Sequence, residues 1–219
     1  MTWFTIGSYL AMEELFHYMH DTVLHRFPKL ETPRLILREM RQEDASDLLH
    51  FLSDIDVIRY YDVQPMRKLV EVQAMIERHR LRYQRNEGVR WAMTLKETSQ
   101  VIGSCGFFWE WSARRGETSY VLAKEYWGRG LMTEALQAMV NCAFKDWPQL
   151  NRLEAFVAEP NTGSRKVLHK LGFQQEGLFK ERLFIEGHFY DERLYSLLRK
   201  DFVAQRDRVR ANQRSQFRL

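Results

Sequence analysis

With 219 residues the chain is long enough for one domain with a sizeable core, and 45% hydrophobic and 13% aromatic residues exclude a wholly disordered protein. A formal net charge of +4 is too mild to require a nucleic-acid partner. No apolar run reaches membrane-spanning length, no basic-then-apolar leader opens the chain, and no cysteine–histidine cluster has zinc spacing, so the expectation is a cytoplasmic protein without membrane or metal.

Residues 1–30 form an extension in which Tyr9, Leu10, Leu15, Phe16, Met19 and Val23 fit a helical stripe; His17, His20 and His25 lack the spacing of a defined metal site. From Glu31 the text becomes regular. Thr32–Arg38 reads as a strand, and Gln42-Glu43-Asp44 before Ala45, Leu48, Leu49 and Leu52 reads as a helix with an acidic first turn. Met66–Arg85 is a second helical stretch, its stripe Leu69, Val72, Met75, Ile76 and Leu81, its Arg78, Arg80, Arg82 and Arg85 a solvated face. Trp91–Leu95 and Val101–Trp109 form a hairpin. Arg114-Arg115-Gly116 punctuates before a third antiparallel strand, Glu117–Ala123. Cys105 and Cys142, in apolar strand and helix patterns, read as buried reduced thiols.

The stretch Tyr120–Phe144 organises the chain. An apolar run is followed by the loop Lys124–Gly130, and then by Met132, Ala135, Leu136, Met139, Val140, Ala143 and Phe144 at spacings of three and four, the buried face of a helix closed by Trp147-Pro148. Gly128 and Gly130 allow the backbone to approach a ligand closely, the first N–H groups of the helix (Leu131, Met132, Thr133) are free, and Arg129 adds a positive charge. That combination suits a diphosphate. Thr133 stands where a dinucleotide fingerprint needs a third glycine, and no Gly-Lys-Ser/Thr is present for a Walker loop.

Arg152–Ala158 is the next strand. Asn161 opens a short helix carrying Val167, Leu168 and Leu171, and Gly172 caps its end. Phe173–Phe184 and His188–Leu198 are strands joined by a Glu186-Gly187 turn. The tail, Arg199–Leu219, holds seven basic residues and reads as a terminal helix or as disordered; its charge suits a solvated tail best, with a ribosomal or RNA contact as the other reading.

Glu125-Tyr-Trp-Gly-Arg-Gly-Leu-Met-Thr-Glu-Ala-Leu136 resembles the acetyl-coenzyme A signature of the GNAT acetyltransferase superfamily, with Glu125 where glutamine or arginine is usual. Thr32-Pro-Arg-Leu-Ile-Leu-Arg38 and Asn161-Thr-Gly-Ser164 with Leu171-Gly-Phe173 extend the resemblance over about residues 32–198, toward the branch of ribosomal-protein N-terminal (Rim-type) acetyltransferases. The resemblance implies an α/β fold: a mixed, mostly antiparallel twisted sheet of six or seven strands, about four helices on both faces, and central parallel strands Glu117–Ala123 and Arg152–Ala158 that splay to make a cofactor slot. Residues 31–198 would be the catalytic domain. It also implies acetyl-CoA as cosubstrate. Backbone groups of Tyr120, Val121 and Leu122 would face the acetyl group, Gly128–Thr133 the pyrophosphate, and Asn161 the pantetheine arm.

The chemistry needs a neutral amine, donors for a tetrahedral oxyanion, and a proton or solvation for the departing thiolate. By the resemblance Glu117 is the candidate base, with Glu110 as fallback; an ordinary strand carboxylate near Arg114 or Arg115 is the other reading of Glu117. Ser164 is the candidate proton donor, because Leu168 fills the place where many superfamily members carry a tyrosine; helix capping is the other reading of Asn161 and its neighbours. Glu186, His188 and Asp191 are candidates for the acceptor side. An α-amine, with a pKa near 8, is about one-tenth neutral at pH 7, whereas a lysine amine, near 10.4, is well under a thousandth neutral, so a weak base suits N-terminal acceptors. The expected acceptor is therefore a protein N-terminus, such as a ribosomal protein's. A small-molecule amine is the rival, and a non-catalytic ribosome-associated module of the same fold is the other class. Both monomer and homodimer fit.

Overall fold

The computed structural model describes residues 26–216 except Asp62, with side chains as far as Arg208. The N-terminal stripe and its three histidines lie outside the described residues. Eight strands form one sheet in the order β1-β2-β3-β4-β5-β6-β8-β7. They are β1 (Leu30–Glu31), β2 (Leu35–Glu39), β3 (Gly88–Leu95), β4 (Val101–Glu110), β5 (Arg115–Leu122), β6 (Arg152–Ala158), β7 (Gln174–Ile185) and β8 (His188–Leu198). Among the described residues the α-helices are α1 (Ala45–Leu52), α2 (Ile55–Ile58), α3 (Leu69–Gln84), α4 (Leu131–Asp146), α5 (Thr162–Lys170) and α6 (Arg199–Gln216).

The two faces of the sheet follow from strand alternation. On one face Leu35, Leu37, Trp91, Met93, Cys105, Phe107 and Leu122 pack against α4, and with Trp147, Leu168, Phe173 and Phe202 they make the larger core. On the other, Ala92, Val101, Val121 and Ala123 meet Leu48, Phe51, Leu52, Val72 and Ile76 of α1 and α3. The closeness of β3 and β4 depends on Gly106, where an added Cβ would sit 2.1 Å from the Val89 carbonyl oxygen.

The sheet is antiparallel at every pairing but one. β5 and β6 run parallel and pair only at Arg115↔Arg152, Gly116↔Leu153 and Glu117↔Glu154. Beyond that point β5 stays on β4 as far as Leu122↔Gly103, and β6 stays on β8 as far as Ala158↔Glu192. The strands therefore part, leaving a slot between Thr118–Leu122 and Ala155–Ala158, as the family resemblance implies.

The structure exceeds the expected strand and helix counts at its smallest elements and at the tail. β1 is a two-residue strand and α2 a single turn, too short for any periodicity to show. The tail is a helix, α6, anchored by Phe202 against Phe144 (centroids 5.0 Å apart). Thr32-Pro33-Arg34 is a turn rather than strand: the Thr32 hydroxyl accepts from the Leu35 N–H at 2.9 Å. Leu69, placed on the buried stripe by its spacing, is exposed at the first position of α3. Arg115 and Gly116 already belong to β5, and the turn before it is carried by Arg114 at φ 49°.

Candidate active site

The β5–α4 loop sits over one end of the slot. Gly128 (φ 75°) and Gly130 (φ 76°) are left-handed, a conformation that costs an L-residue about 1–2 kcal/mol. A Cβ at Gly128 would meet nothing within 4 Å, and one at Gly130 only Arg34 Nη2 at 3.7 Å, so conformation rather than space requires glycine here. The Trp127 indole N–H donates to the Leu122 carbonyl at 2.8 Å and ties the loop to the end of β5.

Gly130 is the N-cap of α4 and supplies no side-chain cap. The Glu134 N–H is the first to find an intrahelical acceptor, the Gly130 carbonyl at 3.0 Å, and the N–H groups of Leu131, Met132 and Thr133 have no partner among the described residues. The Arg129 guanidinium lies over the Tyr126 ring at 5.4 Å and forms no ion pair among the described residues. Arg34 joins this surface from the β1–β2 turn: its Nη1 donates to the Arg129 carbonyl at 3.0 Å and its Nε to Glu134 at 2.7 Å. Glu134, an acidic group in the first turn, is neutralised. Burial works to raise its pKa, but the Thr32 hydroxyl at 2.6 Å and the Arg34 N–H groups outweigh that and hold it below the usual carboxylate range. What remains at the helix start is bare donors and positive charge, an anion site.

Alternation along β5 sorts the slot. The Ala123 N–H donates to Ile102 of β4, so the Val121 N–H also points to β4, while those of Tyr120 and Leu122 point into the slot. Thr118, just past the last β5–β6 pair, has a buried hydroxyl with no hydrogen-bond partner. On the far wall, Asn161 caps α5: its Oδ1 accepts from the Ser164 N–H at 3.1 Å, and its amide nitrogen makes no hydrogen bond among the described residues. The Ser164 Oγ lies 2.6 Å from the Tyr120 hydroxyl. Leu168 is wholly buried in the core.

Glu117 projects from the opposite face of the sheet, where α1 and α3 pack, and is exposed, with no side-chain hydrogen bond among the described residues. Its neighbour Arg115 is already bound, by Glu110 and by Glu154 at 2.8 Å. The fallback Glu110 is thus committed to an ion pair, and Glu154, 2% exposed, is held between Arg115 and Arg152. On the same face Arg90, 5% exposed, donates to Ser104 Oγ (2.8 and 3.2 Å) and to Ser119 Oγ and O (2.5 and 3.2 Å). Among the described residues it forms no ion pair, and Tyr61 covers it with the guanidinium 5.8 Å from the ring centroid. Asp191 accepts from Lys180 Nζ at 2.7 Å and from the Glu181 N–H at 3.0 Å, while Glu186 and His188 lie exposed at the hairpin turn; Tyr190 meets Tyr60 edge-on at 6.1 Å.

Residues 34–174 match the family model described as acetyltransferase (GNAT) domain. The chain belongs to the GNAT acetyltransferase family. It is 35% identical to the uncharacterised N-acetyltransferase p20 of Bacillus licheniformis, over 80% of this chain and 98% of p20. It is 33% identical to the uncharacterised N-acetyltransferase YoaA of Bacillus subtilis, over 79% and 98%. Among solved structures it shares its fold with RimL, a ribosomal L7/L12 α-N-protein acetyltransferase in complex with coenzyme A (TM-score 0.73, 18% identity, covering 78% of this chain and 98% of that one).

The GNAT domain here brings Gly128–Thr133 together at one end of the slot and Tyr120, Leu122, Asn161 and Ser164 along its walls, and leaves Glu117 on the opposite face of the sheet. Val121 stands apart, its N–H in the β4 ladder and its side chain in the smaller core. Sequence reading missed Arg34, taken as strand, and Arg90. Arg90 had a signal: it lies between Val89 and Trp91 in an apolar run, an alternation that puts a charge on a covered face.

Proposed function

We propose that this chain transfers an acetyl group from acetyl-CoA to a primary amine, most simply the N-terminal α-amine of a protein such as a ribosomal protein. The observation that carries the reading is the parting of β5 and β6 with the bare N-terminus of α4 at its mouth. The residues fit the cosubstrate. Three N–H groups with Arg129, on a loop held by Arg34, suit a diphosphate, and the orphan Thr118 hydroxyl and the Asn161 amide nitrogen, without a partner among the described residues, suit a polar linker running along the slot. The slot-facing N–H groups of Tyr120 and Leu122 are the donors for the tetrahedral oxyanion.

The two chemical roles fall on opposite faces. Glu117, free of ion pairs, takes the amine's proton directly or through water, and Ser164 on the α5 side stabilises the departing thiolate. An α-amine asks least of such an exposed carboxylate, since part of it is already neutral near pH 7. The coenzyme A complex of RimL, whose acceptor is a ribosomal protein, agrees with this reading. Thiol release from acetyl-CoA, screened against peptides with varied N-termini and a panel of small amines, tests it. Turnover with N-terminal peptides is expected; turnover with small amines alone would replace the acceptor, and none at all would leave a binding module.

A further inference from the structure

We propose that Tyr120 is a positioning residue for the thiolate side of this site: its hydroxyl donates to Ser164 Oγ and thereby turns the serine's own proton into the slot. The inference rests on the acetyl-transfer reading above. The two oxygens are 2.6 Å apart, so one of them donates to the other. Each carries a single proton. If Ser164 were the donor, its proton would be spent on the tyrosine and the slot would see only lone pairs. If Tyr120 is the donor, Ser164 accepts through one lone pair and its O–H is free.

Three observations favour the second arrangement. A phenol is a stronger hydrogen-bond acid than an alkanol, so it is the natural donor of the pair. Burial raises the Tyr120 pKa above its ordinary value, so the phenol keeps its proton at working pH. The Ser164 carbonyl lies 3.4 Å from the same hydroxyl, a second acceptor on that side and no donor. Ser164 is then fixed at both ends: Asn161 Oδ1 holds its N–H at 3.1 Å and Tyr120 holds its Oγ. Tyr120 is itself anchored in β5, opposite Cys105 of β4. Rigid support of this kind is what keeps a short polar side chain aimed.

In the transfer step the amine nitrogen forms a bond to the acetyl carbon and yields its proton to the base. The C–S bond breaks with its electron pair on sulfur. The thiolate so formed accepts the Ser164 O–H as a hydrogen bond and takes a proton from solvent after release. Tyr120 keeps its proton throughout; its contribution is the direction of the serine hydroxyl.

Single-turnover rates of acetyl transfer for wild type, Tyr120→Phe, Ser164→Ala and the double variant test this, each measured with acetyl-CoA and with an acetyl thioester of a more acidic aromatic thiol. Tyr120→Phe removes one oxygen and is expected to slow transfer from acetyl-CoA about tenfold, the scale of one lost hydrogen bond, with KM for acetyl-CoA and melting temperature unchanged. With the acidic thiol, which needs no help to leave, the deficit should nearly vanish. The double variant should be no slower than Ser164→Ala, since the tyrosine acts only through the serine. Equal deficits with both donors, or deficits that multiply in the double variant, would overturn the assignment. Should Tyr120→Phe melt early, Tyr120→Leu repeats the comparison with different packing. Absence of transfer by the wild type to any acceptor is a separate result that sinks the acetyl-transfer reading itself, and the positioning role with it.

Discussion

The two ends of α4 are treated in opposite ways. At its C-terminus the Arg199 guanidinium donates to the carbonyls of Phe144 (2.6 Å), Trp147 (2.7 Å) and Leu150 (2.7 Å), and it lies 5.1 Å from the centre of the Phe144 ring. Every nitrogen of that side chain is used on carbonyls at the helix end or in the loop just past it. At its N-terminus three N–H groups have no partner among the described residues, and the first-turn carboxylate, Glu134, is turned onto Thr32 and Arg34. One helix thus has a sealed end and a bare one. The contrast separates stability from function: backbone groups are satisfied where the helix only has to hold, and left open where a ligand is to complete them.

The comparison breaks most readily at the sealed end. Arg199→Ala leaves three carbonyls without their donor and should cost roughly 3 kcal/mol in urea unfolding, with acetyl-CoA affinity unchanged once folded. Arg199→Lys, which has no planar fork, should recover only part of this. A loss below about 1 kcal/mol would show that the seal is decorative. Next in size is the base. Glu117→Gln should lower the maximal rate about a hundredfold with little change in acetyl-CoA affinity, and should recover at high pH where the amine is already neutral. A rate within a few-fold of wild type at every pH would leave proximity as the main source of acceleration. At the bare end, Gly130→Val places a β-branched residue at φ 76° and should weaken acetyl-CoA binding at least tenfold, with unfolding measured beside it to separate strain from instability.

Taken over a single pH unit, the smallest expected effect is a pH dependence. Burial, with Arg90, Arg82 and Arg78 nearby, lowers the pKa of His79 to about 3, from an ordinary value near 6.5. The unfolded chain therefore takes a proton below pH 6.5 that the folded one refuses. His79 contributes its stability above that pH and loses it as pH falls toward 3, by somewhat less than ~1.4 kcal/mol per pH unit. His79→Phe, stacking on Phe108 as His79 does, should flatten the acid limb of the stability curve relative to wild type. An unchanged limb would place the acid sensitivity in the paired carboxylates instead.

The bare end was legible in the sequence and the sealed end was not. Gly128-Arg129-Gly130 before a run at helical spacing states a loop, a turn of handedness and an exposed helix start within a few residues. Arg199, by contrast, acts on carbonyls 49 to 55 residues earlier in the chain, and nothing local marks it. The same division holds elsewhere. The helix face of Met132–Phe144 was readable because a 3.6 period repeats over four turns, while β1 and α2 are too short to repeat. The Tyr120–Ser164 contact spans 44 residues, so the slot's two walls were each visible but their meeting was not.

The central claim is that the start of α4 holds a diphosphate. Calorimetric titration with acetyl-CoA, dephospho-CoA and acetyl-pantetheine tests it most directly, because the last of these lacks the diphosphate and keeps the arm and the thioester. Affinity on the order of micromolar is expected for acetyl-CoA, most of it kept by dephospho-CoA and lost by acetyl-pantetheine. Equal binding of acetyl-pantetheine, or none of acetyl-CoA, would contradict it.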